Sequence, residues 1–168
     1  MRHRSANTRI LRSLPPGKGD INARCRFVLG PGDDSDPDSP PISEREIRDW
    51  ELKNGLRLPV SLAKALTIHN GGQVRGTDFV IEPLESFSVL DDEQWDHHLS
   101  PDNQEEDEFK DVDRSKLVLI GDCWGCGVVL DFRRGPKPKV LAMHHGEGGV
   151  LRDEASGTLD EFIAASAQ

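Results

Sequence analysis

Apolar residues recur at helical spacing between residues 43 and 72, the longest stretch in which start signals, spacing and stop signals agree. Ser43 and Glu46 form a capping box, which satisfies backbone N–H groups that the first helical turn leaves unpaired. Ile47 and Trp50 follow on one face. The pattern therefore predicts a helix that begins after Ser43.

A second helix follows after a tight join. Gly55 ends the first helix without a Cβ penalty, and Pro59 has a fixed φ that suits the first helical position. Apolar spacing then predicts a helical face that ends before three residues tolerant of left-handed backbone. The face is Leu62, Ala65, Leu66 and His69, and the stop is Asn70, Gly71 and Gly72.

The second half of the chain changes to short β-rich runs. Asp78–Glu82 predicts one strand, and three further runs around Gly-containing turns predict an antiparallel meander. These runs are Leu117–Ile120, Val128–Phe132 and Val140–His144. Thr158 and Glu161 form a second capping box before a final helix. The predicted fold class is α+β, a mostly antiparallel sheet flanked by helices.

The length of 168 residues predicts a single core. Residues 30–41 are rich in Pro, Gly and Asp and indicate a linker. We therefore predict a basic N-terminal arm and linker over residues 1–39 and a folded domain over residues 40–168.

The residues of the helix pair resemble the signature of the SUKH superfamily, Smi/Knr-like type. The resemblance lies in an acidic residue and Ile at the helix start, a Glu, a Gly, Leu-Pro, and a second helix ending in Asn-Gly. Here these are Glu46, Ile47, Glu51, Gly55, Leu58, Pro59, Asn70 and Gly71. The meander and final helix extend it at Ile120, Gly121, Gly125, Gly127, Leu130, Asp131 and Phe162. The resemblance implies a non-enzymatic α+β domain of the kind that serves bacteria as toxin-immunity proteins and fungi as regulators of cell-wall synthesis.

Charge is distributed unevenly along the chain, whose net charge is -9. Residues 1–26 carry seven Arg or Lys against one Asp, whereas residues 91–113 carry eleven Asp or Glu against one Lys. The strongest electrostatic field of the chain is negative, so we do not expect nucleic acid as the partner. The expected partner is a basic protein. Together with the resemblance this predicts an immunity protein that binds a basic toxin, such as a nuclease.

The predicted partner-binding surface is the acidic segment, residues 91–111. A solvated loop without a function is the alternative for such a run of charge. Carboxylates would meet the Lys and Arg residues of a nuclease, and two aromatic residues would supply apolar anchors. The predicted binding residues are Asp91, Asp92, Glu93, Trp95, Asp96, Glu105, Glu106, Asp107, Glu108, Phe109 and Asp111.

Cys123 and Cys126 form a CxxC motif between two predicted strands. A redox site needs a thiolate at a helix N-terminus, and a zinc site needs two more ligands, for which His144 or His145 is the nearest candidate. A hairpin turn with buried cysteines is the simpler interpretation. The first alternative to the immunity function is a regulatory or scaffold module of the same fold, and the second is a zinc-binding or redox protein that uses these cysteines. We predict no cofactor and no metal.

No catalytic motif stands out: phosphate loop, HExxH and GxSxG are absent from the sequence, so no enzyme is predicted. No segment reaches the roughly 20 apolar residues of a membrane span. The three cysteines fit a reducing compartment, so we expect a cytoplasmic protein, although the Arg-rich start also resembles a transit peptide. The sequence leaves the oligomeric state open.

Overall fold

The first helix, α1, spans Glu44–Asn54 and begins as predicted. The Ser43 N–H donates to Glu46 Oε2 at 2.8 Å, and the Glu46 N–H donates to Ser43 Oγ at 3.2 Å. Gly55 ends the helix at φ 62°. The computed structural model describes residues 27–30, 40–90, 113–146, 149–154 and 157–167, with backbone only for 144–146 and 149–154.

The second helix, α2, spans Val60–Leu66, so the predicted extension to His69 was too long. The physical reason lies in the residues that follow. Thr67 donates its hydroxyl to the Lys64 carbonyl at 2.8 Å, a local bond that competes with helical pairing. Leu62, Ala65 and Leu66 are buried as the spacing predicts.

Asn70 connects the end of the helix pair to a distant turn. Its Oδ1 accepts the Leu84 N–H at 2.9 Å, and its Nδ2 donates to Glu85 Oε2 at 2.9 Å. Gly71 follows at φ 87°, where an added Cβ would come within 2.7 Å of the Pro83 nitrogen. The Asn-Gly pair therefore closes a tight packing contact that a larger residue at position 71 would break.

Within the described residues, eight antiparallel strands form one sheet, and the predicted meander is its centre. The strands are β1 Leu29–Gly30, β2 Gly72–Val74, β3 Phe79–Ile81, β4 Ser88–Val89, β5 Leu117–Cys123, β6 Cys126–Asp131, β7 Lys139–Gly146 and β8 Gly149–Glu154. The strand order is β1-β2-β3-β5-β6-β7-β8, with β4 paired to β5 outside this path. The sequence did not predict β2, β4 or β8 as strands. For β2 and β4 the reason is their length, because two or three residues cannot show an alternating pattern.

The sheet includes two residues from the stretch ahead of residue 40. Leu29 pairs with Val74, Gly30 pairs with Gln73, and Leu29 is buried in the main core. The division of the chain at residue 40 stays a prediction.

The central strands are buried on both faces, which explains their continuous apolar runs. Val118, Val128 and Leu130 face a large cluster that includes residues of every α-helix in the described part of the chain. Val129 and Leu141 alternate with them and belong to a second cluster, so the two clusters lie on opposite faces of the sheet. The second cluster also contains Leu90, Leu117 and Met143.

A β-bulge interrupts β5 between Leu119 and Gly121. Leu119 pairs with Val129 on β6, while Gly121 pairs with Val128. On its other side Gly121 pairs with Ile81 of β3, at a very close approach of the two backbones. A Cβ at position 121 would lie 3.0 Å from the Ile81 Cα. The glycine therefore permits the bulged strand to pair on both sides.

The last helix, α3, spans Leu159–Ser166 and begins with the predicted capping box. The Thr158 N–H donates to Glu161 Oε2 at 2.8 Å. Phe162 packs edge-to-face on Phe79, with ring centroids 5.5 Å apart, and so joins the helix to the sheet. Among the helices that the structure describes, none has the length and apolarity required to cross a membrane.

Candidate functional site

The predicted partner-binding residues all lie outside the described residues, but the points where the acidic segment leaves and rejoins the sheet are defined. β4 pairs with β5 through Val89 and Val118, and the Leu90 N–H donates to the Leu117 carbonyl at 2.9 Å. Asp113 accepts the Ser115 N–H at 3.2 Å and begins a short 3-10 helix. The two ends of the segment therefore meet at one place on the sheet.

The CxxC motif forms a two-residue hairpin turn between β5 and β6, as the simpler interpretation predicts. Trp124 and Gly125 occupy the turn at φ 55° and 74°. Positive φ at both positions is typical of a type I′ turn, whose twist matches the flanking strands. Cys123 and Cys126 pair directly across the hairpin, and both are buried.

The surroundings of Cys123 oppose thiolate chemistry. Burial, reinforced by the nearby charges of Asp122 and Asp78, raises the pKa of its thiol to about 12. A redox nucleophile needs the thiolate. At neutral pH this thiol is protonated, so the turn has the chemistry of a packed structural element. Within the described residues no group of three or more His, Cys, Asp or Glu side chains is placed to hold a metal ion.

Trp124 has a partner that sequence reasoning missed. Its indole N–H donates to Asp78 Oδ2 at 2.5 Å, across 46 positions of the chain. This bond links the β5–β6 turn to the residues just before β3. The Gly125 N–H also donates to Asp122 Oδ1 at 2.9 Å, which fixes the turn from within. A tryptophan at positive φ is uncommon. This backbone conformation becomes apparent only when the geometry of the turn is known, so the sequence alone did not indicate it.

His69 has a structural environment in the connection that follows the second helix. Its Nδ1 lies 2.6 Å from the Gly71 carbonyl oxygen, so this nitrogen carries the proton and donates. The ring is half-buried beside the close approach of Gly72 to Gly30. This contact gives the imidazole a fixed position in the α2–β2 connection.

A basic groove is the second feature that sequence reasoning missed. It has a volume of about 560 Å³ and lies between the end of α1 and the turn that joins β6 to β7. Its positive charges are Arg48, Arg57 and Lys116. They are separated by up to 68 positions in the chain, so no local sequence pattern brings them together.

Both walls of the basic groove are held by hydrogen bonds. On the helix side, Glu51 Oε1 accepts the Leu58 N–H at 2.9 Å. On the sheet side, Asp131 accepts two bonds from the Arg133 guanidinium, at 2.9 and 2.8 Å. Burial alone would raise the pKa of Asp131, but these bonds and the positive charge of Arg133 hold it below its ordinary value. The Phe132 N–H also donates to the Lys116 carbonyl at 2.9 Å.

The comparison with known families gives a match that covers most of the chain. The sequence profile of the SMI1/KNR4 family (SUKH-1) matches residues 41–165, which is most of the chain. No curated protein and no solved structure gives a significant match.

Proposed function

The chain belongs to the SMI1/KNR4 family (SUKH-1), and on this premise we propose that it is a non-enzymatic immunity protein that binds and neutralises a basic toxin. The family is generally non-enzymatic. The proposed binding surface is the acidic segment, and the proposed partner is a domain with a positively charged face, such as a nuclease.

The observation that carries the proposal is the place where the acidic segment joins the described part of the fold. Residues 91–113 carry eleven acidic side chains, and the chain leaves and rejoins the sheet at Leu90 and Leu117, which are joined by a 2.9 Å hydrogen bond. A strongly charged segment is thus inserted at one point of a packed sheet.

The chemistry of a nuclease explains why such a segment suits an inhibitor. A nuclease presents Lys and Arg to phosphate groups, so clustered carboxylates can cover the same surface. Opposite charge also accelerates the encounter of two proteins at low salt. Trp95 and Phe109, within the segment, would supply the buried aromatic contacts that dominate interface energy.

We expect the gene next to the one that encodes this chain to encode a basic toxin domain. The first test is whether that domain forms a one-to-one complex with the full chain. Binding is measured by calorimetry at several salt concentrations. Neutralising Glu105→Gln, Glu106→Gln and Glu108→Gln together should weaken binding at least about tenfold and flatten its salt dependence.

A matched control removes the same number of charges elsewhere on the surface. Glu44, Asp49 and Glu82 are exposed, and neutralising them with Gln, Asn and Gln should leave the affinity within about twofold. Equal losses in the two triple variants would contradict the role of the acidic segment. Absence of a complex with the toxin would contradict the immunity function itself.

A regulatory or scaffold module of the same fold is the second candidate. The basic groove favours it, because a basic surface suits an acidic partner and not a basic toxin.

The zinc or redox alternative is tested by metal analysis of the purified protein. A stoichiometric zinc ion that is lost in a Cys126→Ser variant would support zinc binding and contradict the assignment of the hairpin as a structural turn.

A further inference from the structure

We propose that the basic groove is a second interaction surface, which binds an acidic peptide segment carrying an aliphatic side chain. This inference goes beyond toxin binding and does not depend on it. It rests on the charge of the groove, its apolar lining and the fixed positions of its walls.

The charge of the groove favours an acidic ligand. Arg48, Arg57 and Lys116 line it together with one carboxylate, Glu51. That carboxylate accepts a backbone hydrogen bond from Leu58 and is half-buried, which engages one of its oxygens. Arg48 lies 3.9 Å from Glu44, but both side chains are largely exposed, and such surface pairs contribute little. The cations therefore remain available to a ligand.

The apolar lining distinguishes a peptide from a simple anion. Leu56 and Phe132 are buried in the floor, and Pro136 lies on the sheet side. At the rim, Leu52 is 80% exposed, the highest exposure among the large apolar residues of the described chain. A phosphate or a nucleic-acid backbone has nothing to place against these side chains. An acidic peptide with a leucine or similar residue matches both the charge and the lining.

The groove is also formed before any ligand arrives. The 55–58 connection is held by the Glu51 carboxylate and by a 3.2 Å bond from the Leu56 N–H to the Glu51 carbonyl. The opposite turn is held by the Asp131–Arg133 pair and by a 3.1 Å bond from the Gly135 N–H to the Phe132 carbonyl. Little ordering is therefore needed on binding, and a preformed site loses less conformational entropy.

The test is a fluorescence-anisotropy titration of the full chain with a short labelled Glu-rich peptide that contains one leucine, at low salt. We expect saturable one-to-one binding. Reversing two charges with Arg48→Glu and Arg57→Glu should weaken it at least about tenfold, and Leu52→Ala should weaken it by about threefold or more. A second peptide, with Ser in place of its Leu, should bind the unchanged protein weakly. Its affinity should equal that of the leucine peptide for the Leu52→Ala variant.

The matched control is Lys64→Glu with Arg75→Glu, the same charge change at two exposed positions outside the groove. It should leave the affinity within about twofold. Equal weakening by the two double variants would assign the binding to net charge and overturn the proposal, as would the absence of saturable binding. A single-stranded DNA oligonucleotide serves as a competitor. Displacement of the peptide by this DNA at equal charge would also overturn the proposal, because it would identify a general anion site.

Discussion

Replacing Gly121 tests how far the stability of the sheet depends on the close approach of two backbones at this residue. In Gly121→Ala the new Cβ would overlap the Val80 carbonyl oxygen and would lie 3.0 Å from both the Val80 carbonyl carbon and the Ile81 Cα. Carbon atoms in favourable contact are about 3.5–4.0 Å apart. Because every one of these neighbours is backbone, no side chain can rotate away. β3 must move away from β5 by roughly 1 Å, at the register pairs Ile81–Gly121 and Val80–Asp122.

The expected cost combines two opposing terms. Overpacking of a well-packed interior costs about 1–3 kcal/mol, and a displaced strand weakens its ladder bonds as well. Replacing glycine by alanine in a strand recovers about 0.5–1 kcal/mol of conformational entropy. We expect a net loss of about 2 kcal/mol in the free energy of unfolding, which corresponds to a urea midpoint lower by roughly 1 M.

Gly127→Ala is the matched control, on the adjacent strand. There the new Cβ would lie 2.9 Å from Leu119 Cδ1 and 3.2 Å from Met143 Cε, both of which are ends of flexible side chains. Small rotamer adjustments should keep its stability within about 0.5 kcal/mol of the parent chain. Both variants are compared by urea unfolding followed by circular dichroism. Equal midpoints for the two alanine variants would show that the backbone contact at Gly121 does not limit the stability of the sheet.

Three further experiments test other parts of the structure. Asp131→Asn should lower the free energy of unfolding by about 1–3 kcal/mol at pH 7, since it weakens the bonds to Arg133. The folded-state pKa of Asp131 lies below its ordinary value of about 3.9, so its contribution to stability is present at neutral pH and is lost as the pH falls through the lowered pKa. In acid titrations of unfolding, the variant should therefore lose less stability between about pH 5 and 2 than the parent chain. Cys123 should resist iodoacetamide at pH 8 in the folded chain and react in urea, as measured by peptide mass spectrometry; rapid labelling of the folded chain would contradict its raised pKa. Thr158→Ala should cost about 1 kcal/mol through loss of the α3 cap, measured by thermal unfolding, and an unchanged midpoint would show that the cap contributes nothing.

The parts of the fold that sequence reasoning predicted are those with a local cause. Capping boxes at Ser43 and Thr158, the stop at Gly55 and the turn at Trp124–Gly125 each depend on residues within a few positions. The length of α2 was misjudged because the Thr67 side chain competes with the helix, although apolar spacing continues to His69. Short strands such as β2 and β4 acquire their structure from pairing partners and not from their own patterns.

Longer-range contacts could not be predicted, and the basic groove depends on them. Arg57 and Lys116 line one cavity only because α1 packs beside the turn after β6. In the same way, Asp78 and Trp124 gave no sign of their hydrogen bond before the sheet register was known. The acidic segment was identified from composition alone, and its role stays a prediction.

The Asn70 contacts give the family signature a particular meaning. Asn70 and Gly71 are among the residues on which the resemblance depends, and both act within the protein, on Leu84, Glu85 and Pro83. A motif of this kind reports how the chain folds and carries no information about what it binds. Two members that share it can therefore have unrelated partners. Under the proposed function, exchanging the stretch between Leu90 and Asp113 between such members is expected to transfer specificity onto an unchanged scaffold.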